Sequence, residues 1–221
     1  MIYIYALIWP LLYQLFNHQK PWVNNPIGIS NDKKIKRNAI SALHSVTSFT
    51  FSVLYFCFPE TKLYRDTLFY FSSTYFIWDS YYIVINKLLE NGYLYHHIVV
   101  LYMLEYIHKS NMGSVINWGF LIGEMSNLTL FPVYHYMKTF NLKNYKIGTY
   151  DNLYNKLKQW RHIQAVWYIL LRYFVFGYFA FIFPFKVGDI LLLGNLYMIY
   201  LMGIYWGVGL LKGLYVDYYV S

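Results

Sequence analysis

Charge is scarce in this sequence and cysteine nearly absent. Charged residues fill 13% of the 221 positions, against roughly a quarter in an ordinary soluble domain. With 58% of the residues hydrophobic and 23% aromatic, a soluble fold of this size cannot hide its apolar surface. A soluble domain is excluded, and an all-α protein of several membrane spans is expected. A single cysteine, Cys57, lies within an apolar run and excludes a disulfide framework. The chain has no HExxH or HxxHH box, no GxSxG elbow, no CxxC and no nucleotide-binding glycine loop. Its seven histidines, at 18, 44, 96, 97, 108, 135 and 162, are too few and too scattered for a membrane di-iron centre. No metal and no resident cofactor are expected. Neither an internal repeat nor a low-complexity tract is visible.

Acidic residues are also few, ten against eighteen Lys and Arg, for a net charge of +8. That balance raises the question of nucleic acid, and the placement of the charges answers it. Apolar runs near the ~20 residues a spanning helix needs fall at about 1–16, 38–58, 67–89, 93–108, 114–137, 161–184 and 188–211. The first and fourth are short, so the expected fold is a bundle of six to seven transmembrane helices forming one domain over 1–221. Seven spans put thirteen of the eighteen basic residues on one side, chiefly in 20–37 and 138–161. Four fall on the other side, and Arg172 lies inside a span. By the positive-inside rule the C-terminus is cytosolic. The basic loops then face anionic headgroups, and no nucleic-acid partner is expected. The first span starts without a basic n-region or a small-residue cleavage site, and reads as a retained helix.

Within the spans each ionisable group asks for a partner or a wet cavity, because a charge at a helix centre costs about 2.5–3.5 kcal/mol. The set is His44, Asp79, His96, His97, Glu124 and Arg172, with Asn127 as an uncharged companion. Their depths from the cytosolic side run from ~6 Å for His97 through ~15 Å for Asp79 to roughly 15–20 Å for Glu124, Asn127 and Arg172. Glu105 and His108 sit near the opposite face and are expected to reach headgroups. In "YLYHHIVV" the two rings diverge by ~100° around the helix. One can face a cavity while the other packs against a neighbour, and the sequence does not say which. Histidine is the least costly intramembrane base or acyl acceptor; equally, both rings can serve helix packing.

Glu124 and Asn127, three apart, share a helix face and either orient a histidine or pair with Arg172. Arg172 is expected to neutralise a carboxylate. Gly119 and Gly123 are expected to let a neighbouring helix approach. Ser41, His44, Ser45 and Ser48 share one face of their helix at i, i+3, i+4 and i+7. Asp79, in "TYFIWDSYYIV", is either half of an ion pair or a functional acid.

"SALHSV", "STYFIWDS", "YLYHHIVV" and "GEMSNLTLF", followed by an arginine in the penultimate span, stand in an order and spacing that resemble the TLC-domain family, over about 35–215. That family includes ceramide synthases, which join a fatty acyl group from acyl-CoA to a sphingoid amine. In the synthase signature a Thr follows the His pair, and a His-Asp-x-x-Asp element lies on the next helix. Here His96 and His97 match the pair, Val100 stands at the Thr position, Gly123 replaces the His, and Glu124 and Asn127 stand at the two Asp positions. The pattern is more similar to the non-synthase branch. The resemblance implies a membrane of endoplasmic-reticulum type, with membrane lipids and fatty acyl-CoA as partners and acyl-CoA as co-substrate. His96, His97, Glu124 and Asp79 would be catalytic, and His44, Asn127 and Arg172 substrate-binding. The alternative is a lipid-binding, cargo or membrane-composition factor without catalysis.

Overall fold

The structure, a computed structural model, describes residues 2–23, 25–59, 62–88, 91–110, 112–139, 151–182 and 190–219. Among these residues there is no strand. The helices are α1 (Ile2–His18), α2 (Pro26–Ser30), α3 (Asp32–Cys57), α4 (Lys62–Ile85) and α5 (Asn91–Lys109). They continue as α6 (Gly113–Asn127), α7 (Leu130–Thr139), α8 (Asp151–Tyr168), α9 (Phe176–Ile182) and α10 (Ile190–Tyr219). A π-helical stretch, Ile169–Val175, joins α8 to α9, so that Asn152–Ile182 runs as one rod. Each expected span overlaps a helix or helix pair. Three rods are long and apolar enough to cross a membrane, namely Asp32–Cys57, Asn152–Ile182 and Ile190–Tyr215. The other helices fall short because they are brief, like α1, or rich in Tyr, Ser and Thr, like α4. Lys143, Lys146 and Lys186 of the expected loops lie outside the described residues.

The outer surface supports a lipid surround. On α1, Ile4, Leu7, Leu11 and Leu15 are each more than half exposed, at the spacing of one helical face. The opposite face of α1 turns Trp9 and Tyr13 into the core. A leucine stripe outside and aromatic rings inside is a poor arrangement for water. Val166 and Phe174 on the long rod, and Ile190 and Tyr205 on α10, are likewise strongly exposed.

Helix α3 is central, packed against α1, α4, α6 and α7. Around it one aromatic core gathers Trp9, Leu68, Phe71, Tyr75, Phe76 and Phe120. A second core joins α5 and α6 to α9 and α10 through Val99, Ile122, Phe176, Leu196 and Ile199. Residues of both cores, Phe120 and Leu192 of the first and Phe176 and Leu196 of the second, line one interior space.

Two local features differ from the expectation. Helix α3 begins at Asp32, six residues before the expected span, because 25–31 form their own capped turn: Asn25 accepts from the Gly28 N–H at 2.6 Å, and Pro26 opens α2. Gly28 has no room for a side chain, since a Cβ there would stand 2.5 Å from Val23. Lys36 and Arg37 are therefore buried helical residues and not loop charges. Lys36 pairs with Asp32 at 2.6 Å and donates to the Gln19 carbonyl at 2.8 Å.

The expected glycine contact is also displaced. A Cβ at Gly119 would meet nothing within 4 Å, and one at Gly123 only the Arg172 guanidinium at 3.8 Å. The glycines that admit a close neighbour between these helices are Gly177 on α9, where a Cβ would stand 3.1 Å from the Tyr200 ring, and Gly207 on α10. A Cβ at Gly207 would stand 2.4 Å from the Tyr173 hydroxyl, which donates to the Ile204 carbonyl at 2.8 Å.

Candidate functional site: a polar chamber opening on an apolar slot

The interior polar residues form two layers. In the first, Arg37 Nε and Nη2 donate to Asp79 Oδ1 and Oδ2 at 2.8 and 2.6 Å, a bidentate pair. Tyr13 of α1 donates to the same carboxylate. His97 of α5 sets Nε2 3.5 Å from Asp79 Oδ2 and Nδ1 3.1 Å from Ser80 Oγ. In the second layer His44 Nε2 meets Ser72 Oγ at 3.0 Å and Ser48 Oγ at 3.1 Å, while Nδ1 stands 3.7 Å from Glu124 Oε1. Ser45 donates to Glu124 Oε2, and Asn127 Nδ2 donates to the same oxygen at 3.3 Å. Arg37 and His44 on α3, like Asp79 and Ser72 on α4, are seven residues apart, two turns or ~10 Å. A repeat of two turns keeps both layers on the facing sides of the same two helices.

Beside these layers lies a chamber of about 340 Å³, with Arg37, His44, His96, His97 and Glu124 on one wall and Arg161, Gln164, Tyr168 and Arg172 on another. A smaller space of about 110 Å³ adjoins it, lined mostly by apolar residues such as Val100, Met103, Ile107, Phe120 and Leu192. Phe76, His96, Glu124, Asn127 and Arg172 line both spaces and so mark their junction. The glycines left uncovered take their place here: Gly119 lines the slot, and Gly209 and Gly213 of α10 line the chamber, with no side chain near enough to fill the gap.

The structure brings together His44, His96, His97, Glu124, Asn127 and Arg172 around the chamber. Asp79 is fully buried behind it, in contact with His97 and Arg37, and lines neither space. Of the adjacent histidines, His97 is held by Asp79 and Ser80. Among the described residues His96 has no hydrogen-bond partner, and its Nδ1 is buried without one. Its ring stands 5.9 Å from that of His97 and 5.7 Å from that of Trp206.

The expected carboxylate partner of Arg172 is not found. Arg172 Nε donates to Ser126 Oγ at 2.7 Å and Nη2 to the Gly123 carbonyl at 3.2 Å, and among the described residues the side chain makes no ion pair. Arg172 lies in the middle of the π-helical stretch, and such bulges, rare in helices, shift the register of the residues that follow. Away from the chamber, Glu105 is exposed and pairs with Lys109 at 2.8 Å, while His108 stacks on Phe69 at 3.9 Å. Among the described residues, no three His, Cys, Asp or Glu side chains are grouped to hold a metal ion.

Sequence reasoning missed Arg37, Tyr13, Gln164 and Tyr168. Arg37 was legible, being four residues before Ser41 and seven before His44 on the same face. The other three are uncharged and gave no signal against so many tyrosines and amides. No protein-family model matches the chain, and neither a curated protein nor a solved structure matches it.

Proposed function

We propose that the chain is a membrane protein of about seven spans that transfers a fatty acyl group from acyl-CoA to a lipid hydroxyl or amine, with His96 as the base. The observation that carries this reading is the position of His96. Its imidazole lines both the polar chamber and the apolar slot, and no protein group occupies its nitrogens. An acyl chain fits the slot, which leaves the thioester carbonyl at the junction beside His96. The base takes the proton of the acceptor as its oxygen or nitrogen bonds to the carbonyl carbon. The carbon–sulfur bond then breaks, and the CoA thiolate leaves with that proton. His97, fixed by Asp79 and Ser80, positions the helix turn that presents its neighbour. The TLC-like order of motifs supports the same reading, with an endoplasmic-reticulum-type membrane and a cytosolic C-terminus as parts of the proposal.

One observation favours the second reading, lipid binding without chemistry. Both interior carboxylates are engaged elsewhere, Asp79 by Arg37 and Glu124 by Ser45 and Asn127. Among the described residues no carboxylate orients His96 as a base is usually oriented. The test uses purified protein in nanodiscs, labelled acyl-CoA, and a panel of sphingoid bases and lysophospholipids. Transfer that disappears in His96→Ala while thermal stability is kept establishes the enzyme. Co-purifying lipid with no transfer to any acceptor establishes the binding protein.

A further inference from the structure

Apart from the charged residues, three polar side chains on the chamber lining, Gln164, Tyr168 and His96, carry buried atoms with no partner among the described residues. Gln164 of α8 is wholly buried, and both its Oε1 and its Nε2 are unpartnered. Tyr168, one turn further on and 3% exposed, has an unpartnered hydroxyl. His96 Nδ1 is the third open position. Gln164 and Tyr168, at i and i+4, are neighbours on one helix face. That face is fixed against α6 on both sides of Tyr168: Trp167 Nε1 donates to the Met125 carbonyl at 2.9 Å, and Arg172 Nε to Ser126 Oγ at 2.7 Å. The Tyr168 ring is held in turn by the Arg172 guanidinium carbon at 5.9 Å. Burying an amide and a hydroxyl without hydrogen bonds is costly, and packing gives no return for them. A ligand in the chamber does.

We infer that the chamber binds an uncharged, hydroxyl-bearing head group on an aliphatic chain. The open positions select it. A primary amide offers an acceptor oxygen and two N–H donors, a phenol both donates and accepts, and a neutral imidazole does one with each nitrogen. An ammonium only donates, and leaves Gln164 Nε2 unanswered. A sulfate or phosphodiester only accepts, and leaves Gln164 Oε1 unanswered. A hydroxyl answers both kinds of group, and a glycerol head carries two hydroxyls, one for each residue of the pair. Charge does not choose the ligand, because the charged lining residues are already engaged. Arg37 is bound by Asp79, Glu124 accepts from Ser45 and Asn127, and Arg172 donates to Ser126 and the Gly123 carbonyl. Arg161 has a partner as well. At about 340 Å³ the chamber is of small-molecule size, the usual range being roughly 300–1,000 Å³. The adjoining apolar slot receives the chain. Resting on the cavity as an amphiphile site, and not on chemistry at His96, this assignment narrows the proposed acceptor to a hydroxyl lipid.

The test is equilibrium binding to the full chain in nanodiscs, measured against empty nanodiscs. Four probes share one chain length: a monoacylglycerol, its di-O-methyl ether, a primary alkylamine and an alkyl sulfate. The monoacylglycerol is expected to bind about tenfold or more tighter than the ether, which accepts hydrogen bonds but cannot donate them, and tighter than either charged probe. Tyr168→Phe keeps the ring and loses only the hydroxyl. It narrows the preference over the ether about three- to tenfold, as one neutral hydrogen bond allows, and leaves the melting temperature unchanged. Gln164→Leu does the same without lowering the melting temperature, because it removes an amide that holds no other part of the protein. Monoacylglycerol binding with this preference but no acyl transfer keeps the inference and sinks the enzyme reading alone. Transfer to an amine without a preference for the glycerol head does the reverse. Equal binding of monoacylglycerol and ether marks a chamber answered by water alone, and overturns the inference. So does tightest binding of a charged probe, or a preference that survives both substitutions.

Discussion

Removing one partner of the Arg37–Asp79 pair tests whether the first polar layer holds the bundle together. Both oxygens of Asp79 are engaged by the guanidinium, at 2.8 and 2.6 Å, and Asp79 is fully buried. Asp79→Leu takes from a buried guanidinium the carboxylate that binds it bidentately, which costs about 3–5 kcal/mol. For a chain of this length each kcal/mol moves the melting temperature by about 2–4 °C, so the variant melts roughly 6–20 °C lower. Arg37→Met leaves the carboxylate stranded with Tyr13 and His97 and falls in the same range. Combining the two removes both charges and leaves mainly the Tyr13 hydroxyl unanswered, at about 1–3 kcal/mol. Adding Tyr13→Phe removes that remainder. The assay is unfolding of the purified protein by SDS in mixed micelles, run as a mutant cycle. The expected ranking puts the double variant above either single one and the triple above the double. Losses that simply add would show that Arg37 and Asp79 act independently, and the layer would not be a unit.

Gly207→Ala is expected to destabilise by about 1–3 kcal/mol through overpacking against Tyr173, whereas Gly119→Ala, facing open space, stays within about 0.5 kcal/mol; equal losses in the same SDS titration would refute the assignment of the close helix contact to α10. Cys57, exposed at the C-terminal end of α3, is expected to react with a membrane-impermeant maleimide from the face opposite a C-terminal tag, and labelling from the tagged face would refute the proposed number of spans between the two.

The sequence made the helices legible because each apolar run had to be a rod. It also identified the ionisable chamber residues that lie within the apolar runs, His44, His96, His97, Glu124 and Arg172, since such a group is costly wherever it lies. What it could not supply was pairing. Arg172 was expected to seek a carboxylate on electrostatic grounds, yet it donates to the Gly123 carbonyl and Ser126. Which helix turn faces it depends on the π-helical stretch, and nothing in "YILLRYFVFGY" announces an extra residue per turn. The two glycine pairs make the same point. "GFLIG" at 119–123 and "GIYWG" at 203–207 have identical spacing, but spacing fixes only a shared face. Whether that face meets a helix or a cavity follows from tertiary packing. Arg37 was hidden by its company: the neighbouring Lys33, Lys34 and Lys36 suggest solvent, and only the periodicity through Ser41 and His44 shows that it points inward.

The fate of the three interior histidines bears most directly on function. His44 spends Nε2 on two serines and stacks on Tyr75 at 3.9 Å. His97 faces a serine with one nitrogen and a carboxylate with the other. Either ring could gain a new partner only by giving up a contact that ties two helices together, so a ligand would have to compete with the fold itself. His96 has no such tie, and it lies where the polar and apolar spaces meet. Two adjacent residues thus divide the work that one could not do alone. The turn of α5 is anchored through His97 to a carboxylate already fixed by Arg37 and Tyr13. The neighbouring ring can then stay chemically unused at low cost in position, which is what a base or an acyl acceptor requires and what a packing residue does not.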